Sequence, residues 1–404
     1  MTTTINNKNK KANVPNLRFP EFQGEWEEST IGGEFGLYSG NTPSRLNKEH
    51  FNGAINWISS GELKEHYIAD TKEKISDEAA KTLKMLPIGT FVIAIYGLEA
   101  DGIRGTGSIT KTEATISQAC MAFTSKGKVQ NEFLYSWYTK HGNVIGIRYA
   151  QGTKQQNLSY DIIEKFKIAY PTFQEQEKLN KFIALLDERI ATQSKIIEDL
   201  KKLKCAIIEN HYRQAKLHKY KICDLGVPFS VGSLSKEDLS EEGHECILYG
   251  ELFTTYDCVI NEVKSHTNKI ANTTLSQKGD LLFPSSTTVD AVSLISPSVI
   301  DIPNVILGGD MFGIHIDKKF NAYYLSYYIN LIARKKLAIY AKGSTIIHLH
   351  YKDISKAQLL LPDLCEQDKI TKCMIAEDAK IKVEEQLLTK LEKQKQYLLR
   401  QMFI

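Results

Sequence analysis

Few residues in this 404-residue chain stand at spacings that could carry catalysis. His348-Leu349-His350 puts two imidazoles on alternate positions of a polar segment, which is weak ground for a metal site. Seven cysteines, Cys120, Cys205, Cys223, Cys246, Cys258, Cys365 and Cys373, form no Cys-x-x-Cys pair, so zinc is not expected. Their odd number, without a secretory signal, points to reduced thiols in a cytoplasm. The cluster Gly102-Ile103-Arg104-Gly105-Thr106-Gly107 has glycines at the wrong spacing for a dinucleotide fold and reads as a hairpin tip. There is no Gly-x4-Gly-Lys-Ser/Thr phosphate loop and no Asp/Asn-Pro-Pro-Tyr/Phe tetrapeptide of the kind an amino-methyltransferase places beside its target base. Pro362-Asp363 is better explained as a helix start than as part of a nuclease centre. No catalytic residue and no metal ligand is therefore assigned, and a recognition or assembly role is expected.

The bulk composition sets the class. With 42% hydrophobic and 25% charged residues the chain reads as soluble and globular, long enough for two cores. No apolar run reaches the roughly 18–20 residues of a membrane span. A net charge of +3 does not announce a nucleic-acid binder, so any positive potential for DNA must be local or supplied by a partner.

The elements that would position functional side chains occur twice. PTFQEQEKL starts at Pro171, and PDLCEQDKI starts 191 residues later at Pro362. The offset persists upstream, where Gly152, Leu158, Tyr160 and Ile163 match Gly343, Leu349, Tyr351 and Ile354. NEFLYSWYTK from Asn131 likewise matches NAYYLSYYIN from Asn321. Such drift-tolerant self-similarity marks a duplicated unit, and two copies are too few for a solenoid.

The pattern predicts an α+β (mixed α/β) protein: a tail and lead-in at 1–26, globular domains at 27–171 and 217–362, and long helices at 172–216 and 363–404. TFVIAIY and DLLFP read as buried strands, NEFLYSWYTKH and its counterpart as amphipathic helices. Thr172 and Asp363 are expected at N-cap, with Glu175 and Glu366 closing capping boxes. The first helix carries an apolar seam of Leu179, Ile183, Leu186, Ile190, Ile197, Leu200 and Ile207. The second carries Ile370, Met374, Ile381, Leu388, Leu391 and Leu398, with Gln193, Glu377 and Glu384 as polar members of the stripe. Spacing near 3.5 favours pairing of the two helices as an antiparallel coiled coil, the alternative being that each covers its own domain.

The lead-in NVPNLRFPEFQGEWEE, SGNTPSR at 39–45, GTKQQNLS at 152–159 and the doubled Pro-x-x-x-Glu-Gln-Glu/Asp-Lys resemble the specificity subunits of type I restriction–modification enzymes over nearly the whole chain. The resemblance implies two target-recognition domains, each reading half of a split, asymmetric double-stranded DNA target, with the coiled coil setting the gap. It also implies two modification subunits carrying S-adenosylmethionine and restriction subunits carrying ATP and Mg, with no cofactor bound by this chain and no membrane partner. Helix residues such as Lys195, Asp199, Lys202 and Glu385 would face the modification subunits.

On that resemblance, side chains able to reach base edges or phosphates become candidates. In the first domain they are Thr42, Ser44, Arg45, Arg104, Lys154, Gln155, Gln156 and Asn157. In the second they are Ser286, Thr287 and Thr288 in the SSTT run, with Lys342, Ser344, Thr345, His348 and His350. Tyr38 and Tyr96 could stack near DNA. A surface turn at SGNTPSR and a solvated connection at GTKQQN remain the alternatives. Two rival readings stay open: an S-like subunit of a type IIB restriction enzyme, and a two-lobed structural scaffold without a DNA role.

Overall fold

The computed structural model describes residues 13–404, so the first part of the expected tail, 1–12, lies outside the described residues. Two compact units emerge: one ends its first segment at Ser194 and adds Gln386–Ile404, the other is Lys195–Glu385. Each unit takes part of both long helices, so the units do not coincide with segments cut at 172 and 363.

The first unit holds a five-stranded sheet ordered Phe35–Ser39, Cys120–Ser125, Phe91–Ala94, Gly107–Thr110, Tyr67–Ile68, antiparallel except for its last pair. The second unit repeats that order with Gly226–Ser230, Met311–Ile316, Asp280–Pro284, Ser298–Ile300 and Val259–Ile260, again with a parallel last pair. Ile55–Ile58 lies antiparallel to Lys74–Ile75 and parallel to Ala114–Ile116, as His244–Leu248 does to Ser265–Thr267 and Ile306–Gly308. Each unit also has a ribbon joining its start to its end: Glu27–Thr30 with Lys167–Tyr170, and His218–Lys221 with Gln358–Leu361. The duplication is thus one of strand pairing. Phe91–Ala94 and Asp280–Pro284 are buried along their whole length, which is why, Asp280 apart, they read as continuous apolar runs without alternation.

The helix over Asn131–Tyr149 differs from its expected amphipathic form: Phe133 to Tyr138 are six successive buried residues, because the sheet covers one side and the unit's helix ends another. Its counterpart is broken. Ala322–Tyr328 runs into a π-helical turn at Ile329–Ala333 before resuming at Arg334–Leu337. The Asn330 amide donates across this turn to the Pro297 and Ser326 carbonyls. A single π-turn of this kind often marks a functional position.

The long helices are Phe173–Gln214 and Leu364–Met402. Asp363 caps the second, its carboxylate accepting from the Glu366 N–H at 3.0 Å. The expected capping boxes do not form. Glu175, 1% exposed, turns away from the cap to accept two 2.7 Å bonds from Arg18, while Glu366 meets His211 and Lys369. Lead-in packing outcompetes the cap because a buried carboxylate gains more from a bidentate guanidinium than from one N–H.

The adjacent glutamines anchor both helix starts. Gln176 accepts from the Gln130 N–H and donates to the Pro171 and Lys128 carbonyls. Gln367 accepts from the Asn321 N–H and donates to the Pro362 carbonyl. Both are essentially fully buried, which explains why Glu-Gln recurs in the doubled motif.

Within the first unit Leu179 and Ile183 enter the domain core together with Leu399, Met402 and Phe403. Asp187 pairs with Lys395 from the other helix. Within the second, Ile208, Ile370 and Met374 enter the core, and Lys201–Glu385, Lys204–Asp378 and His211–Glu366 pair the helix segments in antiparallel order. Of the expected seam, Leu179, Ile183, Ile197, Leu200, Ile370, Met374, Ile381 and Leu391 are buried. Leu186, Ile190, Ile207, Leu388 and Leu398 are half-buried, and Ile208 and Leu399 take the inner place beside the last residue of each stripe. The seam drifts there because a 3.6-residue helix rotates against a 3.5 repeat.

His66 ties the first unit together. Its Nε2 meets Glu132 at 2.8 Å and its Nδ1 meets Asp187 at 3.1 Å, while the ring lies flat between Tyr67 and Tyr135. Burial pulls the imidazole pKa down, but the bonds to Asp187 and Glu132 outweigh it and hold the value above normal.

Candidate nucleic-acid interface

The segment singled out in both copies forms the same tight loop. In the first unit Gln151 and Asn157 exchange backbone bonds of 2.8 and 2.9 Å; in the second, Lys342 and His348 exchange bonds of 2.9 and 2.7 Å. Gly152 and Gly343 open these loops with φ of +112° and +126°. A Cβ on either would stand 2.0 Å from a carbonyl oxygen, of Gln155 or Ile346, so only glycine lets the loop close. Each loop is sewn to the central strand's continuation, Leu158 N–H to the Ile95 carbonyl and Leu349 N–H to the Ser285 carbonyl, both 2.9 Å.

On this common backbone the side chains diverge. The first loop exposes Lys154 and Gln155, with Gln156 and Asn157 half-buried. Gln156 is fixed from two sides: its N–H donates to Glu99 and its Oε1 accepts from Arg104, both at 2.7 Å. The Gln156 N–H bond holds the Glu99 carboxyl below its usual range. Arg104 and Gln156, chosen 52 positions apart, are therefore brought together.

Arg45 is held elsewhere. Its guanidinium forms a fork on Glu73 at 2.6 and 2.8 Å and lies over the Phe51 and Trp57 rings, while remaining half exposed. That bond raises the Arg45 pKa and lowers that of Glu73. The turn before it is tightly made: Pro43 is buried, Trp57 donates to the Asn41 carbonyl, and a Cβ on Gly40 would sit 2.1 Å from the Ile116 carbonyl oxygen. Ser44 is exposed and Thr42 half-buried. Tyr38 accepts from the Lys84 N–H, and Tyr96 is 37% exposed beside the loop.

In the second unit Thr287, Thr288, Ile346 and His348 line a groove of about 1470 Å³, whose lining also includes Lys201 and Lys204 from the long helix. Ser286–Thr287 pairs with Ile347–His348, joining two candidate stretches that the sequence separates. Ser286 itself is 5% exposed and donates to Asp310 at 2.8 Å, so its hydroxyl is already engaged where it lines the groove. Lys342 is exposed but paired with Asp353; Ser344, Thr345 and His350 are exposed, and His350 lies parallel to His348. Among the described residues no group of three His, Cys, Asp or Glu side chains is arranged for a metal.

Glu385 is exposed and joined to Lys201, and Lys202 pairs with Glu198. Sequence reasoning passed over Arg334, which lines the groove and donates to the Val292 and Ser293 carbonyls. All seven cysteines are free; burial pushes the Cys120 and Cys258 thiols up to about 12. No helix among the described residues is long and apolar enough to cross a membrane.

The comparisons agree with this twofold arrangement. The model of the type I restriction modification DNA specificity domain matches twice, at residues 23–202 and 209–393. The chain belongs to this family. It is 26% identical over 194 residues to the type I restriction enzyme MjaIX specificity subunit of Methanocaldococcus jannaschii, an alignment covering 46% of this chain. The chain matches only 44% of that relative's length. Among solved structures it is similar to the S subunit of a type I restriction–modification system from M. genitalium, at 16% identity and a TM-score of 0.59, covering 97% of this chain and 99% of that one. A chain from a structure concerning complex assembly and conformational transition of the type I R-M system gives 13% identity and a TM-score of 0.57, covering 93% and 96%. These two likenesses show that the specificity-domain fold is shared.

Proposed function

We propose that the chain is the DNA-recognition subunit of a type I restriction–modification complex, reading a bipartite, asymmetric target with one half-site per specificity domain. One observation carries this reading. The two domains present the same glycine-opened loop with unlike chemistry, Lys154-Gln155-Gln156 in one and Thr345-Ile346-Ile347 in the other. One architecture with two chemistries is what a reader of two different half-sites requires.

The antiparallel ion pairs within each unit support a coiled coil as the spacer between half-sites. A 42-residue helix spans about 60 Å at 1.5 Å per residue, enough to reach beyond one DNA turn of about 34–36 Å. The near-neutral charge suits a subunit that binds with modification subunits closing on the duplex. On this reading the chain is non-catalytic and works in the cytoplasm. Two modification subunits bring S-adenosylmethionine and methylate adenine, and restriction subunits bring ATP and Mg.

Coexpression with the modification subunit of the same system, followed by mapping of methylated adenines, tests the reading. A split, asymmetric motif is expected. A continuous or palindromic motif, or no retardation of any duplex by the assembled complex, overturns it.

A further inference from the structure

The Arg104–Gln156 contact has a chemical direction that biases the first domain towards one kind of base edge. Guanidinium only donates, so the Gln156 atom facing it must be the carbonyl oxygen, and the amide cannot turn over without setting donor against donor. Adenine readout by glutamine needs that oxygen to accept from the base N6 while the amide nitrogen donates to N7. Here one of that oxygen's two lone pairs is already engaged by Arg104. What is left to present is mostly donors, the Gln156 amide N–H2 and the terminal N–H groups of Arg104, against one remaining lone pair; the Arg104 Nε is buried.

The guanidinium is seated by the backbone beneath it. Gly142 and Gly146, one turn apart on the helix Asn131–Tyr149, receive the tip that carries Arg104. A Cβ on Gly146 would stand 2.5 Å from the Arg104 Cγ, and one on Gly142 would stand 3.0 Å from the Gly105 Cα. Gly105 turns the tip with φ of +73°, and Glu99 holds the Gln156 backbone from the other side. Both partners are thus fixed before any ligand arrives. In the second unit Ile346 and Ile347 occupy the places of Gln155 and Gln156, so the arrangement belongs to one half-site alone.

We infer that Arg104 and Gln156 form a single donor-rich reading head that selects a guanine edge, through its O6 and N7 acceptors, in the half-site of the first domain. This rests on the recognition role proposed above. Gly142 and Gly146 are positioning residues for it.

The test uses the complex with its modification subunits on a duplex library randomised across both half-sites, read by methylation. Arg104→Ala should relax discrimination at one G·C pair of one half-site by about 5- to 150-fold, leaving the other half-site unchanged. Arg104→Lys keeps the charge and can still donate to guanine but loses the fork, and should relax the same pair less than Arg104→Ala does. Gln156→Ala should relax the same base pair, and Gly146→Ala should do so by displacing Arg104. Relaxation at an A·T pair, different pairs answering to Arg104 and Gln156, or equal weakening on every sequence would each overturn the assignment. A wild-type complex that yields no split motif sinks the recognition role itself; a split motif in which no pair answers to Arg104 sinks only this inference.

Discussion

The imidazole of His66 lies face to face with the phenol ring of Tyr135, centroids 4.0 Å apart and planes within 4°. Stacking holds the ring edgewise to Glu132 and Asp187, and Asp187 in turn pairs with Lys395. The folded pKa of His66 stands above 6.5, so its stabilising contribution is full below that pH and is lost as pH rises through the folded value. Thermal unfolding should therefore show a fall in Tm above pH 6.5. His66→Gln should lie below wild type at pH 6, lack that part of the fall, and approach wild type in alkali.

Arg18 and Glu175 make a second prediction. The carboxylate is 1% exposed, and its hydrogen bond holds the Arg18 guanidinium pKa above normal. Arg18→Ala leaves a buried charge unpaired and should cost about 3–5 kcal/mol in urea unfolding of the first unit. Adding Glu175→Gln should recover part of that loss, since the uncompensated charge is then gone.

Gly343→Ala forces a side chain onto a φ of +126° and against the Ile346 carbonyl. The loop should open at a local cost of about 1–3 kcal/mol. Methylation competition should show weakening confined to the second half-site, and Gly152→Ala should confine it to the first.

A heptad inserted at matching places in both long helices adds about 10 Å. At about 3.4 Å per base pair the gap between half-sites should widen by about 3 base pairs, with both half-sites unchanged. Methylation mapping reads this directly, and an unchanged gap would remove the helices from the spacing mechanism.

The duplication, the long helices and the loop at 152–157 were legible in the sequence because each is local: a glycine, a periodic stripe or a repeated string carries its own conformational preference wherever it sits. What lies far apart in the chain was decided by the tertiary structure. Glu175 reads as a capping residue until Arg18, 157 positions earlier, takes it. Gln176 and Gln367 are buried because helix starts 46 residues before them supply N–H groups to their side chains. Ser286 looks available until Asp310 claims its hydroxyl. The choice of Arg104 and Gln156 as candidates needed only residue type. Their union, and the acceptor edge it selects, depended on two small residues one helical turn apart letting a distant loop settle. Backbone preference is written residue by residue, but side-chain partnership is settled by which burials and bonds close together at the lowest free energy.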